Sequence, residues 1–251
     1  MRNKISVGVL LSLILLVFML SGNAQAVVIY DTYYGADDHG YGDVIGSTAN
    51  FDVEYMDVQI DAITNKLAVQ IKTNYRGNDY DGFSNLNTDF GDLFISTDGW
   101  NPDMSQPNYL ADNFNSVFSE DWEYAFDVSA GKLYQITDSN IRLSDQEMPT
   151  SGWVYRNGQE VLIDPTGLSS SLNGTAMYDN GFYSLSIDIT GLGWILADLG
   201  FHWTMTCGND VIEGIAPGGD RPPVPEPATM ILLGSGLLGF AGLGRKKLLK
   251  K

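Results

Sequence analysis

Through most of the chain apolar residues recur at every second position, the period of a half-buried strand rather than of a helix. Phe51, Val53 and Tyr55 begin one such run, and Val58 and Ile60 continue it after a break at Met56-Asp57, which predicts a strand with a bulge. Leu67, Val69, Ile71, Thr73 and Tyr75 alternate with mostly polar residues, and Thr64-Asn65-Lys66 supplies the turn between the two runs of an antiparallel hairpin. Asp92 to Thr97 reads as a short strand ended by Asp98-Gly99, and Trp122 to Val128 and Leu133 to Ile136 flank the turn Ser129-Ala130-Gly131-Lys132. Two Asn-Gly pairs give the strongest two-residue hairpin signal. Asn157-Gly158 lies between Trp153-Val154-Tyr155 and Val161-Leu162-Ile163, and Asn180-Gly181 between Ala176-Met177-Tyr178 and Tyr183, Leu185, Ile187 and Ile189. Phe201, Trp203, Met205 and Cys207 share one face of a last strand, and Leu192 to Leu199 reads as a short helix. Roughly eight to ten short strands joined by tight turns predict an all-β domain, an antiparallel β-sandwich or jelly roll.

The two ends break this pattern. Met1-Arg2-Asn3-Lys4, the apolar run Ile5 to Leu20 and the small residues of Ala24-Gln25-Ala26 read as a signal peptide over 1–26, cleaved after Ala26. An exported domain over 27–214 follows, then a stiff Pro/Gly linker over 215–223. In the last segment, 224–251, Val224-Pro225-Glu226-Pro227 precedes an uncharged run ending at Gly244, then Arg245-Lys246-Lys247 and Lys250-Lys251. Residues 228–244 reach the lower limit of roughly 17 for a membrane-crossing helix, and the basic cluster would stay cytoplasmic. Basic residues inside at both ends place the body on the outer side.

The Pro225-Glu226-Pro227 triplet, the short Gly-rich apolar helix and the basic terminus resemble the PEP-CTERM sorting signal of Gram-negative bacteria. That resemblance implies recognition by an exosortase, an integral-membrane cysteine transpeptidase of cells that make exopolysaccharide. It also implies transient anchoring by the C-terminal helix, then release to the cell surface or beyond. Gly91-Asp92-Leu93-Phe94-Ile95 together with Trp203 to Asp210 resembles a pattern in a subgroup of such proteins, with no activity attached to it.

Charge narrows the partners. Two of the 14 basic residues lie in the leader and five after Gly244, whereas all 31 acidic residues lie from Val27 to Glu226, so that exported stretch carries seven against 31, a net charge of −24. Such a body repels nucleic acid and anionic membranes and attracts cations. With Cys207 alone, no intramolecular disulfide can form, and stability falls to packing, with a metal as a candidate aid.

Calcium is the first candidate chemistry, because Asn78-Asp79-Tyr80-Asp81-Gly82 gathers hard oxygen ligands on a loop. With Gly82 at the sixth position of an EF-hand, Gly77 and Thr88 occupy the first and twelfth, so that motif is rejected; a looser site would use Asp79, Asp81, Asp89 and Asp92. Asp37, Asp38 and Asp43 form a second acidic group, and Asn209, Asp210 and Glu213 a turn or a metal corner. Polysaccharide binding is the second candidate: Trp100, Tyr80 and Tyr109 lie in or beside irregular, Asn- and Asp-rich stretches where an exposed ring can stack on a sugar.

Catalytic signals are sparse. No G-x-S-x-G elbow or H-E-x-x-H motif is present, His202 falls on the polar parity beside Trp203, and Cys207 falls on the apolar one. The expectation is a non-catalytic structural or adhesive protein of an exopolysaccharide layer; the alternative is a secreted glycan hydrolase using paired carboxylates, with Glu120-Asp121-Trp122-Glu123 the densest acidic set.

Overall fold

The computed structural model describes residues 24–32, 42–77, 88–100, 122–144, 156 and 158–218. The chain divides into two compact units, Met1–Gly219 and Asp220–Lys251, and every described residue belongs to the first. The leader to residue 23 and the sorting tail with its expected helix lie outside the described residues. Among the described residues no helix is long and apolar enough to cross a membrane.

Twelve strands form among the described residues: β1 (Ala24–Tyr30), β2 (Val53–Asp61), β3 (Lys66–Thr73), β4 (Leu93–Ser96), β5 (Tyr124–Asp127), β6 (Lys132–Gln135), β7 (Ile141–Leu143), β8 (Glu160–Ile163), β9 (Gly174–Asp179), β10 (Phe182–Asp188), β11 (Leu199–Thr204) and β12 (Val211–Ala216). One helical turn, α1 (Thr48–Phe51), precedes β2. Pairing is antiparallel throughout, in two five-stranded sheets of order β1-β2-β3-β10-β9 and β12-β11-β4-β5-β6, with β7-β8 a separate pair. The expectation of an all-β, antiparallel protein holds. Runs of consecutive strands stay within one sheet, β1 to β3 in the first and β4 to β6 in the second, which is not the sheet-to-sheet alternation of a jelly roll.

Both sheets feed one core. Leu67, Val69, Ile71, Leu185 and Ile187 come from the first, Leu93, Ile95, Phe126, Phe201, Trp203 and Ile212 from the second. In the first sheet the alternation read from the sequence is visible directly, with Leu67, Val69, Ile71 and Thr73 of β3 buried while Ala68 and Gln70 face out. Each such aliphatic side chain contributes about 1.5–3 kcal/mol by leaving water. The second sheet is buried on both faces: every residue of β4 and β11 is buried. Its outer face carries a smaller cluster of Phe94, Trp122, Ala125, Tyr134 and Ile136 with Ile163 of β8.

At the β9–β10 turn Asn180 and Gly181 sit at φ 50° and 86°, the left-handed pair that a type I′ hairpin demands. Several expected elements are corrected. The 192–199 segment holds only a 3-10 turn, Trp194–Leu196, because Gly193 at φ 71° breaks its start and Leu199 already opens β11. The irregularity in β2 lies between Val53 and Tyr55 rather than at Met56-Asp57. Strand β8 pairs with β7, and its expected hairpin partner 153–155 lies outside the described residues. Strands β1, β7 and β12 are additions, and β12 runs to Ala216, two residues past the expected end of the domain.

Candidate functional site

Three acids from distant parts of the chain meet where β1 and β12 run close together, so close that a Cβ on Gly214 would come 2.5 Å from Ile29 Cγ2. Asp31 follows β1, Asp43 lies in the segment before α1, and Asp210 immediately precedes β12. Each offers a carboxylate oxygen, and these oxygens all lie within 4.8 Å of one another. Asp210 is fully buried and organises the corner: its Oδ2 accepts the Val53 N–H at 2.6 Å and its Oδ1 the Val211 N–H at 3.0 Å. A carboxylate has about four lone-pair directions, so both oxygens keep capacity for a further partner.

The guanidinium that would balance these acids is partly spent on the main chain. Arg156, fully buried, donates Nε–H to the Gly208 carbonyl at 3.1 Å and Nη2 to the carbonyls of Gly42 and Asp43 at 2.9 and 2.5 Å. It thereby pins the two acid-bearing loops together. Ile45 N–H adds a second tie, to the Asn209 carbonyl at 2.7 Å. Two like charges at this spacing repel by about 4 kcal/mol at an effective dielectric of 20. The carboxyl of Asp210 is accordingly held well above its ordinary range, first by burial, then by the charges of Asp31 and Asp43. That of Asp43 is raised by burial and by Asp52, with Arg156 opposing.

A second grouping occupies the outer face of the other sheet. Register alone builds it: Glu213 of β12 pairs with His202 of β11, which pairs with Phe94 of β4, then Ala125 and Tyr134, a single row across five strands. His202 is fully buried, with Nδ1 2.5 Å from Glu213 Oε1 and Nε2 2.7 Å from the Glu160 carbonyl. A carbonyl only accepts, so Nε2 carries a hydrogen, and Nδ1 and Oε1 share a second. Glu160 Oε2 stands 4.0 Å from Nε2. Trp100 Nε1–H donates to Glu213 Oε2 at 2.8 Å, while Phe94 and Trp122 pack against the imidazole. Glu160, His202 and Glu213 also place ligand atoms within 4.8 Å, but both ring nitrogens are engaged, so a metal there must first displace a hydrogen bond.

The residues singled out in the sequence fall in different places. Of the expected calcium loop, Asp79 and Asp81 lie outside the described residues. Asp89 is exposed and accepts the Phe90 N–H, whereas Asp92 is turned inward, its Oδ1 taking the Val128 N–H at 3.0 Å and its Oδ2 the Ile163 N–H at 2.9 Å. Burial pushes Asp92 up to about 7, the two N–H donors opposing. Its two oxygens thus clamp β8 and the β5–β6 turn. Trp100 is half-buried against the outer-face cluster rather than a free-standing ring, and Tyr80 and Tyr109 lie outside the described residues. Cys207 is buried and its thiol pushed up to about 12, an inert group. Ala24 and Ala26 fall within β1, opposite Asp61 and Gln59, so cleavage after Ala26 would leave Val27–Tyr30 as the paired strand. Asp43 and Asp210 were legible as acidic residues in two separate groups; Asp31, their third member, carried no signal of its own, and Asp37 and Asp38 lie outside the described residues.

The tail supplies a likeness to known proteins. Residues 223–246 match the PEP-CTERM protein-sorting motif. The motif is consistent with a PEP-CTERM protein, and it supports export through the membrane of a Gram-negative bacterium, sorting to the cell surface, and processing by an exosortase, a membrane enzyme. Pro225, Glu226 and Pro227 fall inside the matched stretch. No curated protein matches the chain. The match spans the tail alone and so carries an address, not the activity of the β domain.

Proposed function

We propose that the exported body is a non-catalytic structural or adhesive module that works within an extracellular polysaccharide layer. The observation that carries this reading is the state of the acids. Among the described residues Asp210, Glu160 and Glu213 are buried, Asp31 and Asp43 are half-buried, and Glu213 is occupied by His202 and Trp100. A glycan hydrolase needs two carboxyl groups facing each other across an open cleft, roughly 5–9.5 Å apart. Glu160 and Glu213 stay 7% and 4% exposed. The sorting motif supports export and sorting to the cell surface, and the net charge of −24 in the exported part keeps such a module soluble and repelled by nucleic acid.

Co-sedimentation of the full chain with purified bacterial exopolysaccharides, alongside a reducing-sugar assay on the same mixtures, tests the reading. Binding without release of reducing ends is the expected result. Release that disappears in Glu160→Gln or Glu213→Gln would instead establish the hydrolase, and absence of both binding and release would leave a purely structural protein. Trp100→Ala is expected to weaken any polysaccharide binding that uses its half-exposed ring.

A further inference from the structure

The acidic corner contains three carboxylates, one guanidinium already engaged on backbone carbonyls, and no described histidine or thiolate among its grouped ligand atoms. Two observations beyond the acids point to a ligand. Asp43 Oδ1 is buried with no hydrogen-bond donor on it among the described residues. Asn209, only 2% exposed, likewise holds a buried Oδ1 without a donor. Asn209 directly precedes Asp210, its carbonyl is bonded by Ile45, and its Nδ2 lies against Gly46, so its side chain packs on the loop that brings in Asp43. One of these oxygens belongs to the carboxylate cluster and the other to the residue next to Asp210, and a hard cation is what satisfies buried oxygens left without donors among the described residues.

We infer that Asp31, Asp43 and Asp210, with the Asn209 side-chain oxygen, form a divalent cation site of the calcium class, a staple joining the end of β1, the loop before α1 and the start of β12. Oxygen-only ligation selects calcium or magnesium over zinc or copper. The adaptable geometry of an all-protein carboxylate corner suits calcium, since magnesium keeps most of its own water. The Asp210 carboxylate would serve the ion and the Val53 and Val211 N–H groups together, so the ion and the backbone of two strands are fixed by one side chain. The cation offsets the net charge of the corner and holds together segments more than 150 residues apart, in a chain with a single cysteine and no intramolecular disulfide. The inference does not depend on the polysaccharide reading.

Calorimetric titration of the full chain in mild detergent with calcium chloride, and thermal unfolding in calcium and in chelator, test it. One calcium per chain and a reversible rise of several degrees in Tm are expected. Asp43→Asn should lose at least about tenfold in affinity and most of the rise, by removing one of three charged ligands. Asp79→Asn with Asp81→Asn should retain both. Asp210→Asn is also expected to abolish binding; because that side chain caps two backbone N–H groups, Asp43→Asn decides the matter if Asp210→Asn does not fold. The site is overturned if calcium gives no heat and no rise in the wild type, if Asp43→Asn keeps both, or if the Asp79/Asp81 pair alone removes them.

Discussion

Among the described residues the protein holds two tight groups of buried or half-buried ionisable side chains, and they solve the same electrostatic problem in opposite ways. Glu213 is answered by donors from its own fold, His202 at 2.5 Å and Trp100 at 2.8 Å, supplied by cross-strand register and a neighbouring loop. Asp31, Asp43 and Asp210 crowd to within 4.8 Å, with a guanidinium turned partly to the main chain, and among the described residues Asp43 Oδ1 and the Oδ1 of the adjoining Asn209 have no donor. A self-satisfied group of acids is architecture. A group that keeps buried oxygens without donors among the described residues, held in place by other bonds, is a seat for a cation. The distinction lies in the donors around the acids and not in the density of acids along the sequence.

The largest effect that sharpens the contrast is expected in the satisfied group. Glu213→Ala removes the acceptor for both His202 and Trp100 and leaves the imidazole buried beside Glu160, at a cost of about 3–5 kcal/mol, read as a fall in the denaturant midpoint that is the same with calcium as with chelator. A fall that calcium reverses would mean the two groups are not distinct. In the unsatisfied group calcium at about one hundred times its dissociation constant adds about 2.7 kcal/mol to the wild type. Asp43→Asn should invert sign with conditions: less stable than wild type in calcium, where a ligand is missing, and no less stable in chelator, where a like charge is relieved. Loss of stability in both conditions would place Asp43 among the structural acids.

Much of the architecture was legible because it rests on local periodicity and turn chemistry. The parity of Leu67, Val69 and Ile71 gave the buried face of β3, and Asn180-Gly181 gave the β9–β10 turn from φ preferences alone. Where the second sheet is covered on both faces, alternation vanishes: Leu93-Phe94-Ile95 is buried throughout, and its two-sided burial follows from the β7–β8 cover, which no short stretch encodes. The site was legible only as parts. Asp210 stands in a turn-like Gly208-Asn209-Asp210 and Asp43 in a Gly- and Asp-rich segment, and their meeting depends on β1 and β12 lying together, a pairing of the two ends of the domain. Asp92 shows the opposite failure, for its place among loop acids suggested a ligand while its side chain turns inward to two backbone N–H groups.

Asp92 stands between the two solutions, with donors on both oxygens yet no opposite charge in contact. Asp92→Asn leaves one of the two buried N–H groups facing an amide that cannot accept from it, at a cost of about 1–3 kcal/mol. The pH dependence separates it further. Its folded value of about 7 lies above the ordinary carboxyl range, so its contribution to stability is fully present below about pH 4 and is lost as pH rises through about 7. The difference in Tm between wild type and Asp92→Asn should therefore shift against the wild type as pH goes from 5 to 8. A difference that is flat across that range would show that the carboxyl titrates near its unfolded value and that its two hydrogen bonds, not burial, set its charge.

The smallest expected effect asks whether the two groups are independent. Trp100→Phe keeps a ring against the outer-face cluster and removes only the N–H that reaches Glu213 Oε2, for a loss of about 1 kcal/mol. Asp210 immediately precedes β12 and Glu213 lies three residues further on within it, roughly 10 Å along the extended chain. They point into different surroundings, Asp210 toward Val53 and Glu213 toward His202. At that spacing, with no shared partner, changes add to within about 0.5 kcal/mol. The double variant Trp100→Phe with Asp43→Asn should then show the sum of the single effects, in calcium and in chelator alike. A coupling larger than that in calcium, absent in chelator, would mean that the cation tightens β12 as a whole and so positions Glu213 under Trp100. The satisfied group would then depend on the ion that fills the unsatisfied one.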